Sequence, residues 1–207
     1  MRAPSQNLRD QWLAVLLEQL KTGQGWTARD AERAALQAGL SPGEQALAAP
    51  GGVTDLLDHF FDDTEAALRQ AAEDRDLSDL RTHERVAELI LLWLDLLEPN
   101  RAAVSKAVAY GLRPWRAGPG LRRLWSVADC VWDLAGDTAS DYNRYSKRGL
   151  LSATLPAILF YWLEQPTRPD LDSFIERQLK RAMQIGKSGA NIVQPFINYT
   201  ESNTKKD

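Results

Sequence analysis

The chain has very little cysteine and histidine. Its 207 residues include one cysteine, Cys130, and two histidines, His59 and His83. A single cysteine excludes an intrachain disulfide and an all-cysteine metal cage, and it fits a reducing compartment. Neither histidine follows a glutamate by three residues, so the Glu-x-x-His pattern of di-iron bundles is missing, and no HExxH, CxxC, phosphate-loop or GxGxxG motif occurs. We therefore expect no catalytic residue, no metal site and no cofactor.

Basic charge is scarce where a nucleic-acid binder would need it. The net charge is −3 and the pI is near 5.5, although residues 27–48 have the layout of a helix–turn–helix. From Ala34 to Leu68 there is no lysine or arginine, and the same segment holds six acids. A recognition helix must lie against phosphates, which are contacted largely by Lys and Arg. The sequence predicts a lobe that binds no nucleic acid; the alternative interpretation of this layout is an ordinary helical hairpin.

No apolar run is long enough to cross a bilayer. The longest, Leu150–Leu163, has 14 residues, whereas a spanning helix needs about 20. The N-terminus has neither the apolar segment of a secretory signal nor the arginine content of a transit peptide. We expect any membrane contact to be peripheral.

The chain is rich in helical periodicity. Apolar spacing and capping residues predict helices over about 5–21, 27–38, 54–73, 80–97, 101–112 and 170–185, a short helix after Ser41, and two long helices on either side of Gly136. Thr27 and Thr54 are expected N-caps, and Gly39 is expected to end the second helix in the left-handed conformation. The predicted class is all-α, with a three-helix lobe over 1–50, a larger helical domain over 51–186 and a polar, flexible tail over 187–207.

The segment around Gly136 has the most distinctive composition. The helix before it is expected to bury one face, with Cys130 off that face as a partly buried thiol; the face comprises Leu121, Leu124, Trp125, Ala128, Val131, Trp132 and Ala135. Asp137 is expected to cap the next helix, which is polar and aromatic at its start and apolar later. Asp137 and Asp141 form the best acid pair. Because carboxylates favour helix N-termini, capping outweighs a catalytic or metal role for this pair.

The apolar helices either form a filled core or enclose a ligand groove. In the groove interpretation, small residues at 149, 153 and 157 leave space beside the helix, and Pro156 bends it. The candidate lining residues are Trp93, Leu94, Leu97, Gly149, Leu150, Ala153, Leu155, Ile158 and Trp162. Periodicity alone favours the filled core, because apolar helices are core far more often than they are pockets.

The order W-x-x-A-G-D-x-x-x-D-x-N-x-Y-x-K-R, from Trp132 to Arg148, resembles the signature of the ubiquinone-biosynthesis accessory protein, the ninth Coq protein in the yeast naming. The similarity extends over roughly Leu8 to Ile185. It implies a fold similar to the TetR regulators and a homodimer formed near the C-terminus. It also implies a non-catalytic protein that binds an isoprenoid, quinone or phospholipid ligand and presents quinone intermediates to the demethoxyubiquinone hydroxylase.

The resemblance also implies a partner-binding patch. Its residues are Asp141, Asn143, Arg144, Tyr145, Lys147 and Arg148. Arg144 stands where the family often has a tryptophan, so the affinity for the partner or the choice of partner is expected to differ. The implied location is the cytoplasm of a bacterial-type cell, with transient contact to the inner membrane. Pro195 within the apolar cluster 192–199 makes that segment a poor amphipathic helix.

Two other functions remain open at this point. The first is a ligand-responsive transcriptional regulator of the TetR type, which would share the fold and the pocket but would need DNA binding. The second is a helical enzyme that uses Asp137 and Asp141, which would be expected to hold a metal. The shortage of basic residues in the first lobe argues against the regulator.

Overall fold

The computed structural model describes residues 3–111, 117–138 and 142–185, except for the side chains at 117, 142 and 143. Within these ranges all the regular structure is helical, as predicted. The helices are α1 (Pro4–Lys21), α2 (Ala28–Gln37), α3 (Pro42–Ala48), α4 (Val53–Glu73), α5 (Thr82–Leu97), α6 (Arg101–Gly111), α7 (Ala117–Leu134) and α8 (Tyr142–Leu163). A last helix, α9, occupies 168–185. The predicted tail over 187–207 lies outside the described residues.

The caps predicted at α2 and α3 are present. The Thr27 side chain accepts a hydrogen bond from the Asp30 backbone N–H, and Ser41 forms a capping box with Glu44. Gly39 has φ +74° and ends α2 in the left-handed conformation, as expected. These local signals determine where α2 starts and stops and where α3 starts.

The cap predicted for α4 is wrong. The helix begins at Val53 with Gly52 as its N-cap, two residues earlier than a Thr54 cap would allow. Gly52 has φ +63°, which glycine adopts readily. The Thr54 hydroxyl lies 3.4 Å from the Tyr110 hydroxyl instead. The paired glycines before α4 thus set its start.

The chain separates into two compact units. One comprises Met1–Asp76 with Leu91–Arg123, and the other comprises Leu77–Ile90 with Leu124–Asp207. In the first unit, indole N–H groups tie helices together: Trp12 donates to Ala31 O at 2.7 Å, and Trp26 donates to Ala103 O at 2.9 Å. In the second unit, Tyr161 of α8 stacks on Phe174 of α9 with ring centroids 4.2 Å apart. The predicted boundary between residues 50 and 51 divides the chain differently and stays a prediction.

The buried face of α7 is rotated from the predicted one. Val127, Ala128, Cys130, Val131 and Ala135 are buried. Leu121 and Trp125, expected on that face, are 64% and 38% exposed, and Cys130 is fully buried rather than partly so. The 3.6-residue period found the helix correctly but misplaced the edge of its apolar stripe. Across the described ranges, no helix combines the length and hydropathy that a membrane crossing requires.

Candidate functional site

The C-terminal end of α7 closes in a Schellman motif. The Asp137 backbone N–H donates to Trp132 O at 3.0 Å, and the Gly136 N–H donates to Asp133 O at 3.1 Å. Gly136 has φ +83°, in the left-handed region that favours glycine. The chain therefore turns directly after α7, and this turn brings the Asp137 carboxylate within reach of α8.

Arg148, in the second turn of α8, is a buried guanidinium held by three carboxylates. Its side chain is 1% exposed. Nη1 donates to Asp137 Oδ2 at 3.0 Å, Nη2 donates to Asp133 Oδ1 at 2.7 Å, and Nε donates to Asp129 Oδ1. The aspartates are four residues apart in the sequence, two on α7 and one just after its Schellman turn. We call these four residues the Arg148 cluster.

Opposite charges control the protonation of the Arg148 cluster. Burial alone would raise the pKa of Asp129, but hydrogen bonding and charge from Arg148, with a contribution from Arg144, hold it below its ordinary value. Burial alone would lower the pKa of Arg148, but its carboxylate partners raise it. Both shifts favour the charged forms of Asp129 and Arg148, so this ion pair is suited to joining α7 to α8 rather than to transferring protons.

Lys147 and Trp132 extend this junction. Lys147 Nζ donates to Asp137 Oδ1 at 2.7 Å and lies 5.3 Å from the centroid of the Trp132 ring. In return, Trp132 Nε1 donates to the Lys147 carbonyl oxygen at 3.2 Å. A cation over a tryptophan face is attracted by the ring quadrupole. Trp132, Gly136, Asp137, Lys147 and Arg148 of the signature thus form one connected structural junction.

The aromatic pair of Trp125 and Tyr145 lies on the surface next to this junction. The ring centroids are 6.5 Å apart with an interplanar angle of 28°. Trp125 is 38% exposed and Tyr145 is 64% exposed. A Cβ on Gly149 would lie 3.8 Å from Trp125 Cζ3, so the indole packs close to the α8 backbone at this glycine. The pair forms a partly apolar, exposed surface.

The predicted partner-binding residues have different environments. Tyr145 is exposed, and Arg144 is 42% exposed, with a contact of 3.4 Å to Asp129. Arg148 is buried in its cluster, which corrects the expectation that it contacts a partner. Asp141 and the Asn143 side chain lie outside the described residues.

Asp137 does not act as the predicted cap of the next helix. Its side chain is 4% exposed, and its carboxylate oxygens accept from Lys147 and Arg148. Since α8 begins at Tyr142 in the described chain, Asp137 serves the junction instead. Both carboxylate oxygens of Asp137 accept hydrogen bonds from the junction, and the other member of the predicted acid pair, Asp141, lies outside the described residues.

The predicted lipid-binding residues do not share one environment. Six are apolar and buried: Trp93, Leu94 and Leu97 on α5, and Leu155, Ile158 and Trp162 on α8. Gly149 and Leu150 are partly exposed, and Ala153 and Ala157 are exposed. The small residues therefore lie on the opposite side of α8 from its buried apolar face, and they do not leave space inside it. Pro156 lies within α8, as predicted.

His59 lies on α4 in the first unit and contacts two aspartates. Its Nε2 is 2.6 Å from Asp10 Oδ1 and 3.3 Å from Asp63 Oδ2. The three side chains could together offer ligand atoms to a cation. They also satisfy one another by hydrogen bonding, and nothing further in their geometry indicates an ion.

The short helix α3 lacks the groups that read DNA. Its single acid, Glu44, accepts from Ser41 in the capping box. The amide nitrogen of Gln45, the one side chain able to read a base edge, donates to Leu40 O at 3.0 Å. Leu47 is 59% exposed. The exposed surface of α3 is therefore apolar and acidic.

Sequence reasoning missed the Arg148 cluster and the exposure of Trp125. A signal for the cluster was present: Asp129, Asp133 and Asp137 recur every four residues opposite a helix that contains one Lys-Arg pair. For Trp125 no such signal existed, because its spacing fits the apolar stripe of α7.

Comparisons with known proteins agree with these observations. A family model described as COQ9 matches residues 117–186, which include α7, α8 and α9. The ubiquinone biosynthesis protein COQ9, mitochondrial, of Bos taurus is 24% identical over 197 residues, covering 90% of this chain and 61% of that protein. The human protein of the same name is 25% identical over 178 residues, covering 81% of this chain and 55% of that protein. The resemblance inferred from the Trp132–Arg148 signature is confirmed. The chain spans about three fifths or less of the length of these relatives.

The fold is also found among solved structures. A TetR transcriptional regulator from Nitrosomonas europaea superimposes with a TM-score of 0.66 at 20% sequence identity, covering 86% of this chain and 99% of the other. This likeness concerns the fold, and it confirms the predicted all-α, TetR-like architecture.

Proposed function

We propose that this protein is a non-catalytic accessory factor in ubiquinone biosynthesis, as the names of the COQ9 proteins similar to it suggest. The observation that carries the proposal is the family match over residues 117–186. That segment contains the Arg148 cluster and the exposed aromatic pair. A buried ionic junction beside an exposed aromatic surface suits a protein that binds and presents, since its charged groups are engaged with one another.

The proposed ligand is a lipid with an isoprenoid or acyl chain, which includes quinone intermediates. The support is the apolar character of the helices in each unit taken by itself: Leu94 and Leu97 are fully buried in the first unit, and Leu155 and Ile158 are fully buried in the second. Lipid sites are lined mainly by such side chains, with a few polar groups that set orientation.

Native mass spectrometry of protein purified from ubiquinone-producing cells tests the lipid proposal. We expect a fraction of the protein to carry one long-chain lipid, which organic extraction removes and added quinone restores. Protein from cells that make no isoprenoid quinone is the control and should carry no quinone. Persistent absence of bound lipid, both before extraction and after quinone is added, would contradict the proposal.

The proposed protein partner is the demethoxyubiquinone hydroxylase, docked on the aromatic pair. Exposed tyrosine and tryptophan often anchor protein interfaces. Arg144, which directly precedes Tyr145 and is 42% exposed, adds a positive charge. Arg144 can form bidentate bonds to a partner carboxylate, which compensates in part for the aromatic residue that it replaces.

Tyr145→Ala tests this docking surface. We expect weaker association with the hydroxylase, by about 2 kcal/mol if Tyr145 is a central anchor, with unchanged lipid binding. Leu47→Ala is the matched control, because it removes a similarly exposed apolar side chain from α3. Isothermal titration of the hydroxylase gives the affinities, and equal effects of the two substitutions would contradict a specific role for Tyr145.

Self-association and membrane contact complete the proposal. Exposed Phe160 on α8 and Met183 and Ile185 on α9 support a homodimer through the last two helices. Sedimentation velocity tests the dimer, and flotation with anionic vesicles tests a transient membrane contact.

The α3 surface argues against the TetR-type regulator as the alternative function.

A further inference from the structure

Trp93 has a buried hydrogen-bond donor without an acceptor. Its side chain is 1% exposed, and no acceptor for Nε1 exists within the described part of the chain. Three other tryptophans behave differently, since Trp12, Trp26 and Trp132 each donate their indole N–H to a backbone carbonyl. Buried indole N–H groups usually find a partner, because leaving a polar group unpaired in an apolar interior is unfavourable.

The residues that follow Trp93 on its own side of α5 and next to it in the sequence are apolar. The next residue, Leu94, and the residue one turn later, Leu97, are both fully buried and apolar. A donor that has no acceptor among the described residues can gain a hydrogen bond from an acceptor atom on a bound ligand. Ligand sites have this composition: apolar walls with a few donors that fix the orientation of the ligand.

We propose that the Trp93 indole N–H donates a hydrogen bond to an acceptor oxygen of the bound lipid and so selects oxygen-bearing lipids over plain hydrocarbons. This inference rests on the proposed lipid-binding function. The acceptor is a carbonyl oxygen, supplied either by a quinone ring or by the ester of a phospholipid. An isoprenoid hydrocarbon has no acceptor and leaves the N–H unpaired, so it binds less tightly for its size.

The first test compares three probes by tryptophan-fluorescence titration of delipidated protein. The probes are a short-tailed ubiquinone, a phosphatidylcholine of matched chain length, and squalene, which lacks oxygen. The variant is Trp93→Phe, which keeps an apolar ring and removes the N–H. The control is Trp26→Phe, which removes a buried N–H that already donates within the protein, to Ala103 O.

We expect Trp93→Phe to weaken binding of an oxygen-bearing probe about tenfold, as loss of one buried hydrogen bond does, and to weaken squalene binding by much less. The probe that shows this selective loss identifies the source of the carbonyl. Trp26→Phe is expected to change the affinities for all three probes equally. Equal losses for every probe in Trp93→Phe would overturn the role of Trp93 while leaving lipid binding intact.

The second test uses the wild-type protein, so its outcome does not depend on whether a variant folds. In wild-type protein labelled with ¹⁵N-tryptophan, the Trp93 indole resonance is expected to move downfield on addition of the oxygen-bearing probe, and to stay near its free position with squalene. An unmoved resonance at saturation with the oxygen-bearing probes would refute the hydrogen bond. If no probe binds the wild-type protein at all, the proposed function fails and this inference fails with it.

Discussion

Arg148→Met should destabilise the protein strongly, although it changes one residue at a helix junction. The methionine keeps much of the volume of the arginine stem but removes a guanidinium that bonds three carboxylates. Asp137, 4% exposed, keeps Lys147 as a partner. Asp129 and Asp133 are 34% and 40% exposed and can return partly to water.

The expected loss follows from this mixture of exposures. Removing one partner of a fully buried ion pair costs about 3–5 kcal/mol, because the remaining charge is left without compensation. Since two of the three aspartates are partly hydrated and the third keeps Lys147, we expect a value at the lower end, about 3 kcal/mol. For a chain of this size, that corresponds to a fall of about 6–12 °C in the melting temperature.

Urea unfolding at pH 7, followed by far-ultraviolet circular dichroism, measures this loss. The matched control is Arg144→Met, one turn earlier on α8. Arg144 is 42% exposed and makes one contact of 3.4 Å to Asp129, so its loss should change the unfolding free energy by about 0–1 kcal/mol. If the two variants unfold at the same urea concentration, the Arg148 cluster does not stabilise the junction and the reasoning is refuted.

Three further predictions follow from the same structure. The folded-state pKa of Asp129 lies below its ordinary value, so the stability that its charge contributes is present above about pH 4 and is lost as the pH falls through the folded pKa. The free energy of unfolding, measured as the pH is lowered, should therefore fall less steeply in Asp129→Asn than in wild type. Gly136→Ala should destabilise the protein by about 1–2 kcal/mol, because alanine resists the left-handed conformation. Gly120→Ala, where an added Cβ would meet open space on α7, should stabilise it slightly. A higher melting temperature for Gly136→Ala than for Gly120→Ala would contradict this. Fluorescence anisotropy with duplex DNA should show no salt-sensitive binding, and nanomolar affinity at physiological salt would overturn our reading of α3.

Local features of the sequence predicted most of the fold. Thr27, Ser41 and Gly39 act on backbone groups within a few residues of themselves, so the capping rules found them without knowledge of the rest of the chain. The start of α4 escaped these rules. Gly52, with its positive φ, is the N-cap of α4, and the helix begins before Thr54 can act as a cap.

The candidate site was harder to predict because its interactions cross between helices. The signature identified the right segment, and Tyr145 was correctly placed on the surface. Arg148 was misjudged, because an arginine among polar residues at a helix start looks exposed until its partners on the neighbouring helix are known. The face of α8 that carries Ala153 was also misassigned, since small residues can line an open surface as easily as a groove.

The Arg148 cluster fixes the rotation of α8 about its own axis relative to α7. Tyr145 lies three residues before Arg148, about 60° away around the helix axis, so anchoring the arginine also sets the direction in which the tyrosine faces. Exchanging the side chains at 144 and 145 removes the 3.4 Å contact between Arg144 and Asp129 but leaves the three aspartate contacts of Arg148 in place. Binding specificity on this helix can be re-engineered at those two positions while the salt-bridged turn beneath them keeps the new surface correctly oriented.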